Sequence, residues 1–125
     1  MNTNNQHYGT AQLPFSSTTQ SDSLLFISGQ GGIEPTTGDI PVGDLEAQTI
    51  LTIGNIERLL KQHGLTLRHL VKVTIYLKER ALYEAFNQVY TRIVPPPYPA
   101  RTVIYCDLNF DLLVEIDAIA SLRNS

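Results

Sequence analysis

The clearest pattern in the chain is an alternation near its middle. Val71, Val73, Ile75 and Leu77 alternate with Lys72, Thr74, Tyr76 and Lys78, the period-two signature of a half-buried strand. A second alternation closes the chain over about 113–121. Leu113, Glu115, Asp117 and Ile119 share one face, and Val114, Ile116, Ala118 and Ala120 the other. A further strand is predicted at about 101–107. Leu24-Leu25-Phe26-Ile27 is apolar without alternation, which predicts a central strand buried on both faces. It ends at Ser28-Gly29-Gln30-Gly31-Gly32, where glycine permits tight turning or close approach to a ligand.

Two helices stand between these strands. Asp44 can cap the first, which runs to about His63 with Gly64 as its stop. Ala47, Ile50, Leu51, Ile53, Ile56, Leu59 and Leu60 form its apolar stripe, and Gly54 suggests close packing on a sheet. The second helix is predicted from about Arg80 to Ile93. Its stripe is Leu82, Ala85, Phe86, Val89, Tyr90 and Ile93, with Asn87 at the edge. Pro95-Pro96-Pro97 stops it, since proline lacks the amide donor and restricts the residue before it. Pro35-Thr36-Thr37-Gly38 reads as a turn. Residues 1–12 are polar and expected to be loosely held unless Tyr8 begins an edge strand.

This order predicts an α+β fold: one domain over 1–125, a mixed sheet and two helices packed on one face. The other sheet face is wet or covered. The doubly apolar Leu24–Ile27 run favours covering, hence an oligomer.

Composition narrows the function classes. The chain has 125 residues, 42% of them hydrophobic, which suits a globular core. Nine Lys and Arg are scattered and the net charge is −3, which argues against general nucleic-acid binding. No apolar run is long enough to span a bilayer, and residues 1–7 lack the features of a signal peptide, so a soluble cytoplasmic protein is the default. One cysteine, Cys106, excludes an intramolecular disulfide and a cysteine-rich zinc site, and its apolar setting reads as a small buried hydrophobe. His7, His63 and His69 have no metal-ligand spacing. Neither GxGxxG nor a phosphate-loop motif is present.

Two charges interrupt apolar strands. Arg101 stands at the mouth of one, offering a planar fork that suits a carboxylate. Glu115 lies within the last, where it can hold a water or move a proton. Both could also be ordinary solvent-face polarity. Together they point to a pocket for a small carboxylate-bearing metabolite that undergoes water chemistry.

Several ordered motifs resemble the RidA/YjgF/L-PSP family. They are Phe26-Ile27-Ser28-Gly29-Gln30, Pro35-Thr36-Thr37-Gly38, Asn55-Ile56, Val71 to Leu77, Phe86-Asn87-Gln88-Val89-Tyr90, Pro99-Ala100-Arg101, and Val114-Glu115-Ile116-Asp117-Ala118-Ile119-Ala120. The resemblance spans about residues 13–122. It implies a chorismate-mutase-like fold and a homotrimeric, barrel-like assembly whose active sites lie in clefts between subunits. The implied activity is hydrolysis of 2-imino acids or their enamine tautomers to 2-keto acids and ammonia, without metal or organic cofactor. By the same resemblance Arg101 pairs with the substrate carboxylate and the amides of Gly29 and Val103 flank it. Ser28 lines the pocket, Asn87 lies near the cleft and Glu115 polarises the attacking water. Three departures stand out. Phe15 replaces a tyrosine common in the family's deaminases, so a ring is kept and a hydroxyl lost. The stretch from Arg101 to Leu108 is one residue shorter than usual, which removes a bulge or displaces the arginine. Gly31-Gly32 stands where an apolar-proline pair is common. The alternatives are a non-catalytic trimer that senses 2-keto acids and, less favoured, an endoribonuclease or translation inhibitor.

Overall fold

The computed structural model describes residues 7–8 and 11–123, with side chains from residue 13 onward. Seven strands and two α-helices follow in chain order among the described residues. β1 (His7–Tyr8) and β2 (Ala11–Gln12) pair antiparallel as a separate two-stranded ladder, so Tyr8 does join a strand, though not the edge of the main sheet. β3 (Thr18–Ser21), β4 (Leu24–Gly31), β5 (Leu70–Leu77), β6 (Ala100–Tyr105) and β7 (Val114–Ser121) form that sheet in the order β3-β4-β7-β5-β6. β5 and β6 are parallel, and the other pairings are antiparallel, giving the mixed sheet expected. α1 (Leu45–Lys61) and α2 (Tyr83–Ile93) supply the helical layer.

The alternations decide the faces. Val114, Ile116, Ala118 and Ala120 are buried, as are Val73, Ile75 and Leu77. Glu115, Asp117, Thr74 and Tyr76 lie on the face away from the helices. The Leu24–Ile27 run lies in an interior strand, as expected, though not in the middle one of the five. β7 takes that place, and β4 is flanked on its outer side by β3, whose Thr-Thr-Gln-Ser sequence carries no hydrophobic period. Leu25 and Ile27 are buried, whereas Phe26 is 39% exposed on the helix-free face. Ile104 on the same face is 41% exposed, so a single chain leaves apolar surface uncovered there.

α1 begins where expected: the Asp44 carboxylate accepts from the Ala47 amide at 3.0 Å, a cap typically worth about 1 kcal/mol. Gly64, at φ +72°, takes the left-handed conformation that ends the helix, and Leu65 N–H returns to the Leu60 carbonyl. The buried stripe differs from the expected one in its first half. Gln48, Thr49, Thr52 and Asn55 are buried, while Ile50 is 47% exposed. For two of these the reason is what lies beneath. Gln48 and Asn55 cover strand ends and loops and bond backbone groups outside the ladder there, whereas Thr52 donates back to Gln48 O within α1 and Thr49 Oγ1 is buried without a hydrogen-bond partner among the described residues. Gly54 faces open space instead of a sheet. In the second helical segment, Arg80–Leu82 is a 3-10 turn that precedes α2, and Ala85 is exposed. Cys106 lies one residue past β6, only partly buried, with its amide donating to Leu77 O.

Candidate functional site

Glu115 opens onto a cavity of about 440 Å³ lined by Leu13, Phe15, Ser28, Gly29, Gln30, Gly31, Ile33, Asn109, Phe110, Leu112, Glu115 and Asp117. Its floor is the irregular end of β4. The β4–β7 register shifts between Ile27 and Gln30, which leaves Ser28 and Gly29 out of simple alternation beside Glu115. A methyl group on Gly29 would collide with the Glu115 carboxylate, so only glycine lets the carboxylate lie against this backbone. Ser28 is fastened at both ends: its amide donates to Ser17 O at 2.9 Å and its hydroxyl to Ser16 O at 2.6 Å. Gln30 is buried and donates to the Ser28 carbonyl at 3.0 Å.

The polar residues of α1 hold the rest of the rim. Gln48 Nε2 donates to Pro41 O and to Asp111 O, each at 3.1 Å, and Gln48 Oε1 accepts from Leu113 N at 2.8 Å. Asn55 Nδ2 donates to Gly31 O at 3.0 Å and to Ile33 O at 2.9 Å. Close approach explains the two glycines after Gln30. A side chain on Gly31 would meet Leu112, and one on Gly32 would meet the Gln48 backbone. The glycine pair thus lets the 109–113 loop and α1 close over the end of β4.

Burial pushes the Glu115 carboxyl above its ordinary value, and the neighbouring Asp117 charge adds to this. Tyr76 donates to Asp117 Oδ2 at 2.8 Å. That hydrogen bond, then burial, pushes the Tyr76 phenol up to about 12, so it stays a donor at neutral pH. Among the described residues that line the cavity there is no lysine or arginine. Among the described residues, no group of three or more His, Cys, Asp and Glu side chains is placed to hold a metal ion.

Arg101 stands elsewhere. It pairs in register with Val73, which puts its side chain on the helix-covered side of β6. There its guanidinium donates to Asn87 Oδ1 at 2.7 Å and lies 5.1 Å from the Tyr90 ring centroid, 5.8 Å from that of Tyr83 and 5.9 Å from that of Phe86. The Tyr83 phenol is held below its ordinary value, first by a hydrogen bond with Asn87 and then by the Arg101 charge. Val103, two residues on, packs against the core from the same side. The β5–β6 register is continuous from Lys72–Ala100 to Leu77–Tyr105, with no bulge in the strand that carries Arg101.

The predicted site residues therefore fall into two groups. Phe15, Ser28, Gly29 and Glu115 share one cavity. Arg101, Asn87 and Val103 form a second cluster, on the opposite face of the sheet and two strands away from β7. Sequence reading passed over Gln48, Asn109, Phe110, Leu112, Asp117 and Tyr76 as site components. Only Asp117 carried a usable signal, since it shares the Glu115 face at i+2.

Comparison with known proteins places the chain. The family model described as endoribonuclease L-PSP matches residues 6–122. A RutC family protein of Pyrococcus horikoshii is 38% identical over 108 residues, covering 86% of each chain. The chloroplastic Reactive Intermediate Deaminase A of Arabidopsis thaliana is 34% identical over 110 residues, 87% of this chain and 59% of that one. The crystal structure of E. coli TdcF with bound serine superposes with a TM-score of 0.83 at 29% identity, covering 91% of both chains. The chain belongs to the endoribonuclease L-PSP family, the RidA/YjgF family whose motifs it carries.

Proposed function

We propose that this protein hydrolyses reactive 2-imino acids, and the enamines in equilibrium with them, to 2-keto acids and ammonia, at sites shared between neighbouring subunits of a homotrimer. The observation that carries the reading is the placement of Glu115: a half-buried carboxylate with raised proton affinity, facing a cavity beside the open Gly29 backbone. One chain keeps Arg101 on the far side of the sheet, so a substrate at Glu115 takes its carboxylate partner from a neighbour's Arg101. The uncovered apolar sheet face supports such association. The kinship with a protein named for reactive-intermediate deamination, and with one that binds serine, a small carboxylate-bearing molecule, points the same way.

The chemistry asks little beyond position. A protonated imine carbon is already electrophilic. Glu115 accepts a proton from water as the water oxygen bonds to that carbon, and the C=N π pair moves to nitrogen. The proton then passes to the amino nitrogen of the carbinolamine. The C–N bond breaks, ammonia leaves, and the oxygen gives up its proton to the Glu115 carboxylate as the carbonyl forms. Orientation by the arginine fork and one positioned water supply most of the acceleration. The protein needs no cofactor in this scheme.

A second reading, a non-catalytic sensor of 2-keto acids, is favoured by one feature: Phe15 lines the cavity with a ring but no hydroxyl. An endoribonuclease fits poorly, because the cavity of one chain presents two carboxylates to a polyanion and a neighbour's Arg101 adds a single cation. The test is a coupled assay in which an amino-acid oxidase generates imines and keto-acid release is timed. Acceleration over spontaneous hydrolysis is expected. Tight keto-acid binding without acceleration would replace the deaminase reading with the sensor.

A further inference from the structure

Arg101 is a cation that the single chain leaves unanswered. Among the described residues no carboxylate lies within ion-pair distance of it, and the ion pair present is Arg92 with Glu46. Both hydrogen bonds of its guanidinium leave from Nη2, one to Asn87 Oδ1 at 2.7 Å and one to the Tyr83 hydroxyl oxygen at 3.5 Å. Nε and Nη1 are left without a partner among the described residues, so the charge is free to take an anion.

Tyr83 and Asn87 lie one turn apart on α2 and so reach β6 together. The Tyr83 ring alone would give the cation–π contact, as Phe86 does at 5.9 Å without a hydroxyl. What the hydroxyl adds is polar chemistry beside the guanidinium. Its oxygen accepts from Arg101 and is hydrogen-bonded to the Asn87 amide. Asn87 Oδ1 is spent on Arg101, so the amide nitrogen is the donor to the phenol. The phenol therefore receives from two groups and still holds a hydrogen of its own, for which no acceptor stands among the described residues. Tyr83 is 38% exposed and borders a cleft of about 420 Å³, with Arg80, Glu84 and Tyr105 on its other walls. An unspent donor thus stands beside a bare cation at the edge of open space.

We infer that the Tyr83 hydroxyl donates to the carboxylate that Arg101 binds, so that a guanidinium and a phenol of the same subunit hold one substrate anion. The inference rests on the proposed function for the identity of that anion, and adds a second contact to it. A hydroxyl donating to a carboxylate makes a charge-assisted bond, stronger than a neutral one. The two groups that donate to the phenol oxygen also loosen its proton, which makes it a better donor. The contact lies at the end of the ligand that does not react, away from the water at Glu115. Its loss should weaken binding and leave the chemical step alone.

The test is Tyr83→Phe, which keeps the ring beside Arg101 and removes only the hydroxyl. Because the side chain is exposed, the variant should melt as the wild type does. Calorimetry with pyruvate and 4-methyl-2-oxopentanoate should show affinity reduced about tenfold. In the imine assay KM should rise by a similar factor, with kcat held within about twofold. A pH series separates contact with the ligand from support of Arg101. The charged and titratable groups around the phenol are Arg101 and Tyr105 on β6, Glu84 and Tyr90 on α2, and Arg80 just before it. All five remain in Tyr83→Phe, so the difference between the two proteins isolates the phenol. Once ionised, the phenol cannot donate and repels a carboxylate. The wild-type advantage in affinity should therefore vanish as pH rises through the Tyr83 value, which lies below that of a free tyrosine. An advantage that does not change with pH, or a fall in kcat at unchanged KM, would mean that the hydroxyl only steers Arg101, and would overturn the inference. A wild type that binds neither keto acid would overturn it too. The tenfold loss of affinity in a protein without turnover would defeat the deaminase reading and leave this inference standing. Turnover with affinity and KM both unchanged in Tyr83→Phe would overturn the inference and leave the deaminase reading standing.

Discussion

The Glu115 cavity and the Arg101 cluster are built in opposite ways. Around Glu115 the surroundings are held from behind by buried amides, with Gln48 and Asn55 together making five hydrogen bonds to backbone groups. Arg101 stands on an edge strand, held by one amide oxygen and three aromatic rings. On the proposed reading the first region, set within a single chain, organises a water, and the second presents a cation at the sheet's edge to a neighbouring molecule. The difference teaches that residues read as one constellation can be divided between the two faces of a subunit, and the proposed chemistry then depends on assembly.

The most severe way to probe the first region is Glu115→Gln. Glutamine keeps the size but cannot accept a proton from water, so kcat in the imine assay should fall on the order of a hundred- to ten-thousand-fold. Binding of 2-keto acids should survive the change. Full activity in this variant would reduce Glu115 to solvent-face polarity. The second region is probed by Arg101→Ala, which should weaken 2-keto acid binding by about a hundredfold in calorimetry, with little recovery in Arg101→Lys because lysine lacks the planar fork. Unchanged affinity would remove Arg101 from the site.

Smaller effects test how the regions are held. Gln48→Ala strips partners from Pro41 O, Asp111 O and Leu113 N at once. Urea denaturation should show a loss of about 2–4 kcal/mol, in the range for a broken buried polar network. Loss of half a kilocalorie or less, roughly the size of an ordinary surface change, would mean the cavity rim does not depend on α1. The smallest effect expected is on pH. Burial raises the Glu115 value in the folded protein above that in the unfolded chain, so the folded state holds the proton more tightly. Its favourable contribution is complete below the unfolded value and is lost as pH rises through the folded one. Relative to Glu115→Gln, the wild type should therefore lose stability across that window as pH rises, and a difference that grows the other way would contradict the burial argument.

Much of the fold was legible in the sequence because alternation and the helical stripe report burial directly. The faces of β5 and β7, the Asp44 cap and the stop at Gly64 follow from local chemistry. β3 was not legible, since an edge strand exposed to water has no reason to be apolar. Nor was the polar half of α1: Gln48 and Asn55 are buried because of unpaired backbone groups distant in sequence. Within the site, Ser28, Gly29 and Glu115 came into one cavity with Phe15, on the pattern the family resemblance implies. The separation of Arg101 from Glu115 was invisible in one dimension. It depends on strand order and on the face that each side chain takes, and neither is a property of a motif.

Mixing two disabled chains tests the shared site most directly. Arg101→Ala retains Glu115, and Glu115→Gln retains Arg101, so each trimer alone lacks a complete site. After the two are unfolded and refolded together in equal amounts, a neighbour-shared site in a cyclic trimer is intact wherever the right pair of chains adjoin, so about a quarter of wild-type turnover should return. The same two proteins mixed without exchange of subunits should stay inactive. If co-refolding restores nothing while both variants assemble normally, Glu115 and Arg101 do not serve one substrate across a subunit boundary, and the central claim is wrong.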